Sequence, residues 1–587
     1  MNFDDVLIRI GDCGRYQILL YLLFGLVGIQ TGLQNLAHVF IGGAQDHWCY
    51  VPEIQNLSAA DQKRLAIPLK DGGTGDKAVQ YDSCHVYERN YSAIVAALLN
   101  DTVAGGYDVT NASDRFQALS EILETERTIV RKCSKWTFDQ SQYTSTMRSE
   151  FGTICKYDWM EPLIQTIYMA GFMTGCIGFG AVSDRFGRHK TMVLALLLES
   201  ITAVSAAFAP NYTTYVILRF IVGTAAAGAF TTSFVFVMEM MGPKYRMGMG
   251  IFVQGYFACG FMLLPGIAYF VRNHIMLQLS ISIPFILLLV YWWIIPESPR
   301  WLISEGRCEE AQLIVEKIAR LNGKIAPEKI CFNVQVKVQE GPMPNVIDLV
   351  RTPNMRKKSL NIFFNWFVNS LIYYGLALSS EEMGGNIYLS IFISGAVEIP
   401  SYVLTCFVLN RIGRQRTLVF MMLLGGVACL CCAPLIKNEK LLPLLLTLAN
   451  IGKFGISASF SIIYVYSAEV FPTVIRNVGV GTGSMHARIG GLIAPQIASL
   501  SKYWNPLPSI IFGSTAIAAG LLALLLPETL NQVLPETLED GETFGKSSPK
   551  QKRKKETVSL MLMENGILRE TGINEKTPAS SEDFLLN

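Results

Sequence analysis

Charge is scarce in this sequence. Of its 587 residues only 16% are Asp, Glu, Lys or Arg while 51% are hydrophobic, and the mean hydropathy is +0.33, a balance that excludes a soluble multidomain protein. The net charge is only +2, with basic residues gathered at the ends of apolar runs, which excludes nucleic acid as a partner. No zinc-ligand spacing, no nucleotide-binding glycine loop and no grouping of nucleophile, base and orienting residue is present, so no metal, no cofactor and no enzyme activity is expected. A short apolar leader with a small-residue cleavage site is also missing. Asp12 and Arg15 crowd the first long apolar run, which reads as an uncleaved anchor.

What the chain has is apolar length. A spanning helix needs about 20 apolar residues, and twelve such runs lie near 16–40, 160–182, 191–208, 214–238, 248–270, 277–295, 359–379, 387–409, 417–435, 441–464, 478–498 and 509–526. The expectation is an all-α membrane protein: an N-terminus at 1–15, a first span at 16–42, a long loop at 43–158, spans two to six at 159–295, a helical connector at 296–358, spans seven to twelve at 359–527 and a disordered tail at 528–587.

The chain also repeats itself. The run G-A-V-S-D-R-F-G-R-H-K from Gly180 returns as N-R-I-G-R-Q-R from Asn410; Glu239 precedes Arg246 as Glu469 precedes Arg476; Pro296-Glu297-Ser298 returns as Pro527-Glu528-Thr529, all at nearly one offset. Two halves with the same charged hinges between spans is the organisation of a transporter. Asp184, Arg185, Gly187, Arg188, Glu239, Arg246, Glu297, Arg300, Arg411, Gly413, Arg414, Glu469, Arg476 and Glu528 are therefore expected to form a cytoplasmic gate. Its expected pairs are Glu239 with Arg246 and Glu469 with Arg476, Glu297 and Arg300 completing one cluster and Glu528 the other. A purely topological role for the basic residues is the alternative, and repetition of the acids as well as the bases favours the gate.

The basic loops set orientation. Arg185, Arg188, Lys190, Lys244, Arg246, Arg411, Arg414, Arg416 and Arg476 share one side, which is the cytoplasm by the positive-inside rule, so both termini are cytoplasmic and 43–158 is outside. That loop carries Cys49, Cys84, Cys133 and Cys155, for which three pairings are open, and glycosylation sequons at Asn56, Asn90, Asn100 and Asn111. A fifth sequon, at Asn211, sits in a loop too short for modification. Other cysteines, such as Cys429, Cys431 and Cys432, read as buried residues. In the connector Ile314, Ile318 and Leu321 form an apolar stripe, and Lys552–Lys555 in the tail is either a lipid-attracting or a merely solvated cluster.

Ionisable residues at membrane depth cost about 2.5 to 3.5 kcal/mol on insertion scales and mark sites by default. Arg488 lies near the middle of span eleven, after His486 and before Gly490-Gly491, where it can take a substrate carboxylate or pair with Glu398 of span eight. Lys453, Ser457, Phe460 and Tyr464 share a face of span ten; Trp366, Asn369 and Tyr373, with Tyr374 adjacent, do so in span seven. Aromatic walls of this kind hold quaternary ammonium groups. Glu398 either faces that ammonium, carries a coupling proton or ion, or neutralises Lys453 or Arg488. Glu199 and Arg219 are read as structural.

Taken together, the motif G-x-x-x-D-R-x-G-R with its echo, P-E-S-P-R-W-L at 296–302 and Y-S-A-E-V-F-P-T-V-I-R-N at 466–477 resemble the major facilitator superfamily, and within it the organic cation, carnitine and organic anion transporter family. The resemblance implies two pseudo-symmetric six-helix bundles around one central site that opens alternately to either side. It also narrows the substrate. Cation transporters of the family carry acids where this chain has Arg488 and Ser461, anion transporters carry a lysine where it has Tyr402, and V-E-I-P-S-Y at 397–402 is similar to the carnitine branch. The resemblance thus implies a plasma-membrane carrier of small organic zwitterions, with a carnitine-like carboxylate on Arg488 and its trimethylammonium among Tyr373, Tyr374, Phe460 and Glu398. It is expected to work as a monomer, with sodium, proton or no coupling left open. A polyspecific organic cation or anion carrier and a transporter-like receptor are the rivals.

Overall fold

The computed structural model describes residues 3–70, 81–99, 129–327, 346–379, 385–436 and 439–545. They fall into two compact units, one taking the chain up to Ala37, Pro162–Tyr269 and the chain from Leu279 on, the other taking His38–Glu161 and Phe270–Gln278. Among the described residues ten helices are long and apolar enough to cross a membrane. They are α1 (Arg15–Ile41), α2 (Met160–Phe186), α3 (Arg188–Ala207), α4 (Tyr212–Met240), α5 (Pro243–Phe270), α6 (His274–Ile294), α7 (Pro353–Ser379), α8 (Ile387–Ile412), α9 (Arg414–Cys432) and α10 (Leu442–Val470). Two further helices follow. In α11 (Arg476–Ala498) glycines and polar residues dilute the apolar run, and α12 (Leu507–Ala523) is apolar but has 17 residues.

Lipid tails give apolar side chains no reason to leave them for one another, so membrane helices associate through close backbone approach at small residues. Here Gly171 and Gly175 of α2 lie against the carbonyl oxygens of Phe220 and Thr224 in α4, while Gly223 of α4 lies against that of Tyr168. Any Cβ at these positions would collide with backbone.

Both ends of the described chain are strapped down. The helix Phe3–Ile10 buries Phe3, Val6, Leu7 and Ile10 with Ala311, Val315, Ile318 and Ala319 of the connector helix Cys308–Leu321. Asn322 fastens this contact, accepting from the Tyr16 amide at 3.0 Å and donating to Ile10 O at 2.9 Å. The connector's buried stripe thus differs from the expected one: Ile318 belongs to it, but Leu321 is exposed because it falls past the docked face. The tail differs too. Disorder expected from Glu528 onward is corrected up to Gly545, where a capping box at Thr537 starts the helix Leu538–Thr543 and Glu542 accepts from the Asn354 and Met355 amides at the start of α7, at 3.0 and 2.9 Å. Donation from the Thr537 amide and hydroxyl holds the Asp540 carboxyl below its usual range. A six-residue helix without an apolar stripe gives no periodic signal and exists by docking. Lys552–Lys555 lie outside the described residues.

The second unit holds two small antiparallel sheets, β1 (His47–Cys49) with β4 (Trp136–Phe138) and β2 (His85–Tyr87) with β3 (Val130–Lys132). Disulfides Cys49–Cys133 and Cys84–Cys155 resolve the three open pairings into one. They clip strands too short to be stable alone around a core of Trp48, Leu65, Ile67 and Val86. Asn56 and Asn90 are exposed, whereas Asn100 and Asn111 lie outside the described residues. Asn211 caps α4, its side chain accepting from Thr214 N at 2.9 Å. Cys429 and Cys432 are buried, but Cys431 is exposed, since its place in the helical turn points it outward. Replacing Gly175 with leucine is expected to destabilise the α2–α4 contact by about 1 to 3 kcal/mol and to lower the thermal unfolding midpoint in detergent, while the exposed Ile177→Leu leaves it unchanged.

Candidate functional site

The repeated motifs build the same cluster twice. Gly187 and Gly413 have φ of +100° and +104°, a conformation glycine adopts without strain, and each brings the next helix to a carboxylate. Glu297 accepts from the Arg188 and His189 amides at 2.9 and 3.1 Å at the start of α3; Glu528 accepts from the Arg414 and Gln415 amides at 2.8 and 3.2 Å at the start of α9. Each carboxylate satisfies orphan helix donors and meets the positive end of the helix dipole. A Cβ on either glycine would strike the carboxylate it faces.

Around these caps the arginines pair with acids at the ends of the helices that follow, α4 and α10, and Arg188 also with Asp184 of α2. Arg188 Nη2 lies 2.9 Å from Glu239 and 3.1 Å from Asp184, and Arg414 Nη2 lies 2.8 Å from Glu469. Ser298 and Thr529 donate their hydroxyls to the second oxygens of Glu239 and Glu469. The expected pairs are therefore corrected: Glu239 binds Arg188 and not Arg246, and Glu469 binds Arg414 and not Arg476. Arg246 instead reaches Asp4 of the N-terminal strap at 3.0 Å, with Arg300 3.9 Å from the same carboxylate, and Arg476 donates to the Thr473 hydroxyl at 3.1 Å. The reason is direction. Residues seven apart at a helix end and the following loop are near in sequence, but the guanidinium that reaches each acid stands at the start of the preceding, antiparallel helix, α3 or α9. Arg185 and Arg411 are exposed and stand outside both clusters.

At membrane depth the second half places a closed charge pair. Lys453 Nζ lies 3.0 Å from Glu398 Oε1, while Tyr373 and Tyr402 donate to Glu398 Oε2 at 2.9 and 2.8 Å. The ammonium also stands over the Tyr373 ring, 3.3 Å from its centre, and Phe261 of α5 covers it at 5.6 Å. Of the readings left open for Glu398, neutralisation of Lys453 is the arrangement found. Phe460 stacks on Tyr373 at 5.8 Å, and Trp366 packs edge-on against Phe460 and Tyr464 with its indole NH on Ser467. Ser461 donates to Ala458 O within its own helix, and His486 stacks on Phe363 at 4.7 Å, so its ring packs on α7.

Arg488 differs. It is 7% exposed, its Nε makes no hydrogen bond, and no carboxylate of the described residues lies within ion-pair distance. Tyr374 and Tyr464 stand around its guanidinium, and the Phe172 ring of α2 lies 4.6 Å from it. Phe172, Phe261 and Tyr402 were not singled out for this site by sequence; Tyr402, one turn after Glu398, was the legible one. Arg219 and Glu199 lie inside the first half, Arg219 stacked on Tyr168 at 4.5 Å and donating to Gln34 O, Glu199 fully buried.

Besides Phe172 on Arg488 and Phe261 on Lys453, the two halves meet at the ends remote from the charged clusters. Thr166 of α2 donates to Leu492 O at 3.2 Å and accepts from Gln496 at 3.1 Å, and Tyr269 packs edge-on against Tyr388 at 5.5 Å. Toward the clusters, Gly178 and Gly180 of α2 and Gly481 of α11 have no atom within 4 Å of a built Cβ.

Comparison with known proteins agrees with this architecture. Residues 132–540 match the family described as sugar (and other) transporter. The chain is 38% identical over 578 residues to the organic cation transporter protein of Drosophila melanogaster, covering 96% of this chain and 100% of that protein. It belongs to the organic cation and carnitine transporter family of the major facilitator superfamily. Organic cation/carnitine transporter 2 of Rattus norvegicus is 33% identical over 547 residues, covering 92% of this transporter and 93% of that one. Solute carrier family 22 member 13 of Homo sapiens is 36% identical over 548 residues, with the same two coverages of 92% and 93%. The fold matches that of the partially occluded, inward open xylose transporter XylE of E. coli with a TM-score of 0.54 at 15% identity, over 88% of this chain and 100% of that one. The protein is accordingly a multi-pass transporter of small organic molecules and not an enzyme.

The buried pair of the transporter makes a measurable demand. Lys453→Ala leaves Glu398 uncompensated and is expected to destabilise the protein by about 3 to 5 kcal/mol; Lys453→Met combined with Glu398→Gln is expected to lose less than either single change. Thermal unfolding in detergent checks it, and additive losses would sink the pairing.

Proposed function

We propose that this transporter moves small organic zwitterions, carnitine and related quaternary-ammonium amino acid derivatives first, across the plasma membrane by alternating access. One observation carries the reading: Arg488, a buried guanidinium without a carboxylate partner among the described residues, walled by Tyr374, Tyr464 and Phe172. A substrate carboxylate supplies the missing counter-charge through bidentate donation, and the rings of Tyr373, Tyr374 and Phe460 receive the trimethylammonium. In this reading α1–α12 are twelve spans in two bundles with both termini cytoplasmic, the second unit faces outside, and the carrier works as a monomer.

The charged clusters act as the gate. They brace the inner end of each half, so that the halves rock as bodies; the empty space beside Gly180 of α2 fits an inward-open state. Sodium, proton and uncoupled transport all fit this arrangement.

The printed names of relatives, the Drosophila organic cation transporter protein among them, favour a second reading, a polyspecific organic ion carrier. Against a cation preference stands Glu398, already matched by Lys453.

Uptake of labelled L-carnitine by cells expressing the chain, with sodium present or replaced, is expected to saturate, and Arg488→Ala is expected to cut it more than tenfold at matched surface level, the loss of about 1.4 kcal/mol or more of binding. Uptake of tetraethylammonium but not carnitine would replace the first reading by the second. For the gate, Arg188→Ala is expected to reduce flux several-fold at unchanged surface expression, since a bias of about 1 to 3 kcal/mol between states is enough; undiminished flux would reduce these residues to topology signals.

A further inference from the structure

One nucleophile stands at this site. Cys176 of α2 is half-buried and free, and its sulfur lies beside the Arg488 guanidinium with Tyr374 and Tyr464 around it. Phe172, one helical turn earlier on the same face, lies under the same guanidinium at 4.6 Å, so two successive turns of α2 meet Arg488. Arg488 is more than nine-tenths buried with its Nε unpartnered. Beside it on the same face, Gly180, one turn beyond the cysteine, has no atom within 4 Å of a built Cβ. Of the other free cysteines, Cys429 and Cys432 are buried and Cys431 points outward from α9, while Cys13, Cys259 and Cys406 are half-buried but do not stand beside Arg488.

We propose that Cys176 is a thiol modification site inside the transport seam, selective for anionic disulfides of the carboxylate-bearing peptide class, and that its mixed disulfide arrests transport. The guanidinium draws the anion to the sulfur. In the exchange the Cys176 thiol gives its proton to water, its sulfur attacks one sulfur of the disulfide, the new Cys176 S–S bond forms as the old one breaks, and the departing thiolate takes a proton from water; the disulfide is the oxidant. The attached half then lays its carboxylates on Arg488, where a substrate carboxylate would bind. This last step rests on the proposed role of Arg488 in binding substrate, while the modification itself does not.

The test uses purified full-length protein in detergent. Cys176 labelling is followed by mass of its peptide with two reagents of similar size, the sulfonate-bearing and the trimethylammonium-bearing ethyl methanethiosulfonates. With each rate divided by that reagent's rate with a free thiol in solution, the sulfonate reagent is expected to react about tenfold faster, and Arg488→Gln is expected to erase that preference. Glutathione disulfide is expected to leave a glutathione adduct on Cys176, absent in Cys176→Ser and released by dithiothreitol, and to remove most uptake after reconstitution, each protein being compared with its own untreated sample. Failure of Cys176 to react in folded protein, when it reacts in denaturant, overturns the site; equal rates for the two reagents after division by their free-thiol rates overturn the steering by Arg488. L-carnitine is expected to slow the labelling. Charge-selective labelling that carnitine does not slow upholds the thiol site and overturns the carnitine reading alone.

Discussion

A charge within the hydrocarbon layer has to be answered by protein, because neither lipid nor bulk water is there to answer it. The C-terminal half obeys this with Lys453 and Glu398, whose remaining oxygen is taken up by two tyrosine hydroxyls. Such a pair adds little net stability over apolar packing, but removing one member leaves the other exposed to the full desolvation penalty. Arg488 lacks such an answer within the described residues, which is why it reads as a receptor for something that arrives.

The same constraint operates in weaker form at the charged ends of the helices, where it is met twice by one design. Glycine in the left-handed region allows α3 and α9 to begin against Glu297 and Glu528, and the neighbouring arginines then lie against Glu239 and Glu469. The copies are not identical. Asp184 adds a second acid to Arg188, whereas Asn410 occupies the corresponding place near Arg414, so the first cluster is the more heavily tied. The N-terminal half is further braced by Asp4 on Arg246, the C-terminal half by Glu542 on the start of α7.

Apolar length and repetition made much of the fold legible, since both are properties of the chain itself. Ten apolar helices lie where long apolar runs stand, and the repeated Glu, Gly and Arg positions gather into two matching clusters. Pairing was not legible in the same way. Which arginine meets Glu239 depends on how α3 and α4 are placed side by side, and sequence proximity pointed to Arg246. Nor could spacing choose among four cysteines. The helix Leu538–Thr543 escaped notice because docking, not periodicity, holds it. At the site, Arg488 and Lys453 announced themselves by being charged in apolar surroundings, but Phe172 and Phe261 are ordinary residues in their own helices and acquire meaning only from the opposite half.

The distribution of contacts between the halves has a kinetic corollary. The ion pairs of Arg188, Arg246, Arg300 and Arg414 each stay within one half, while Thr166, Gln496, Tyr269 and Tyr388 stitch the halves together at the far end. In the rocking motion proposed above, reversal unfastens two hydrogen bonds and an aromatic contact at that far end. In that motion the contacts broken at the far end join neutral groups, which salt screens little, whereas the contacts of Arg488 with Phe172 and of Lys453 with Phe261 bring charge across the seam at mid-depth.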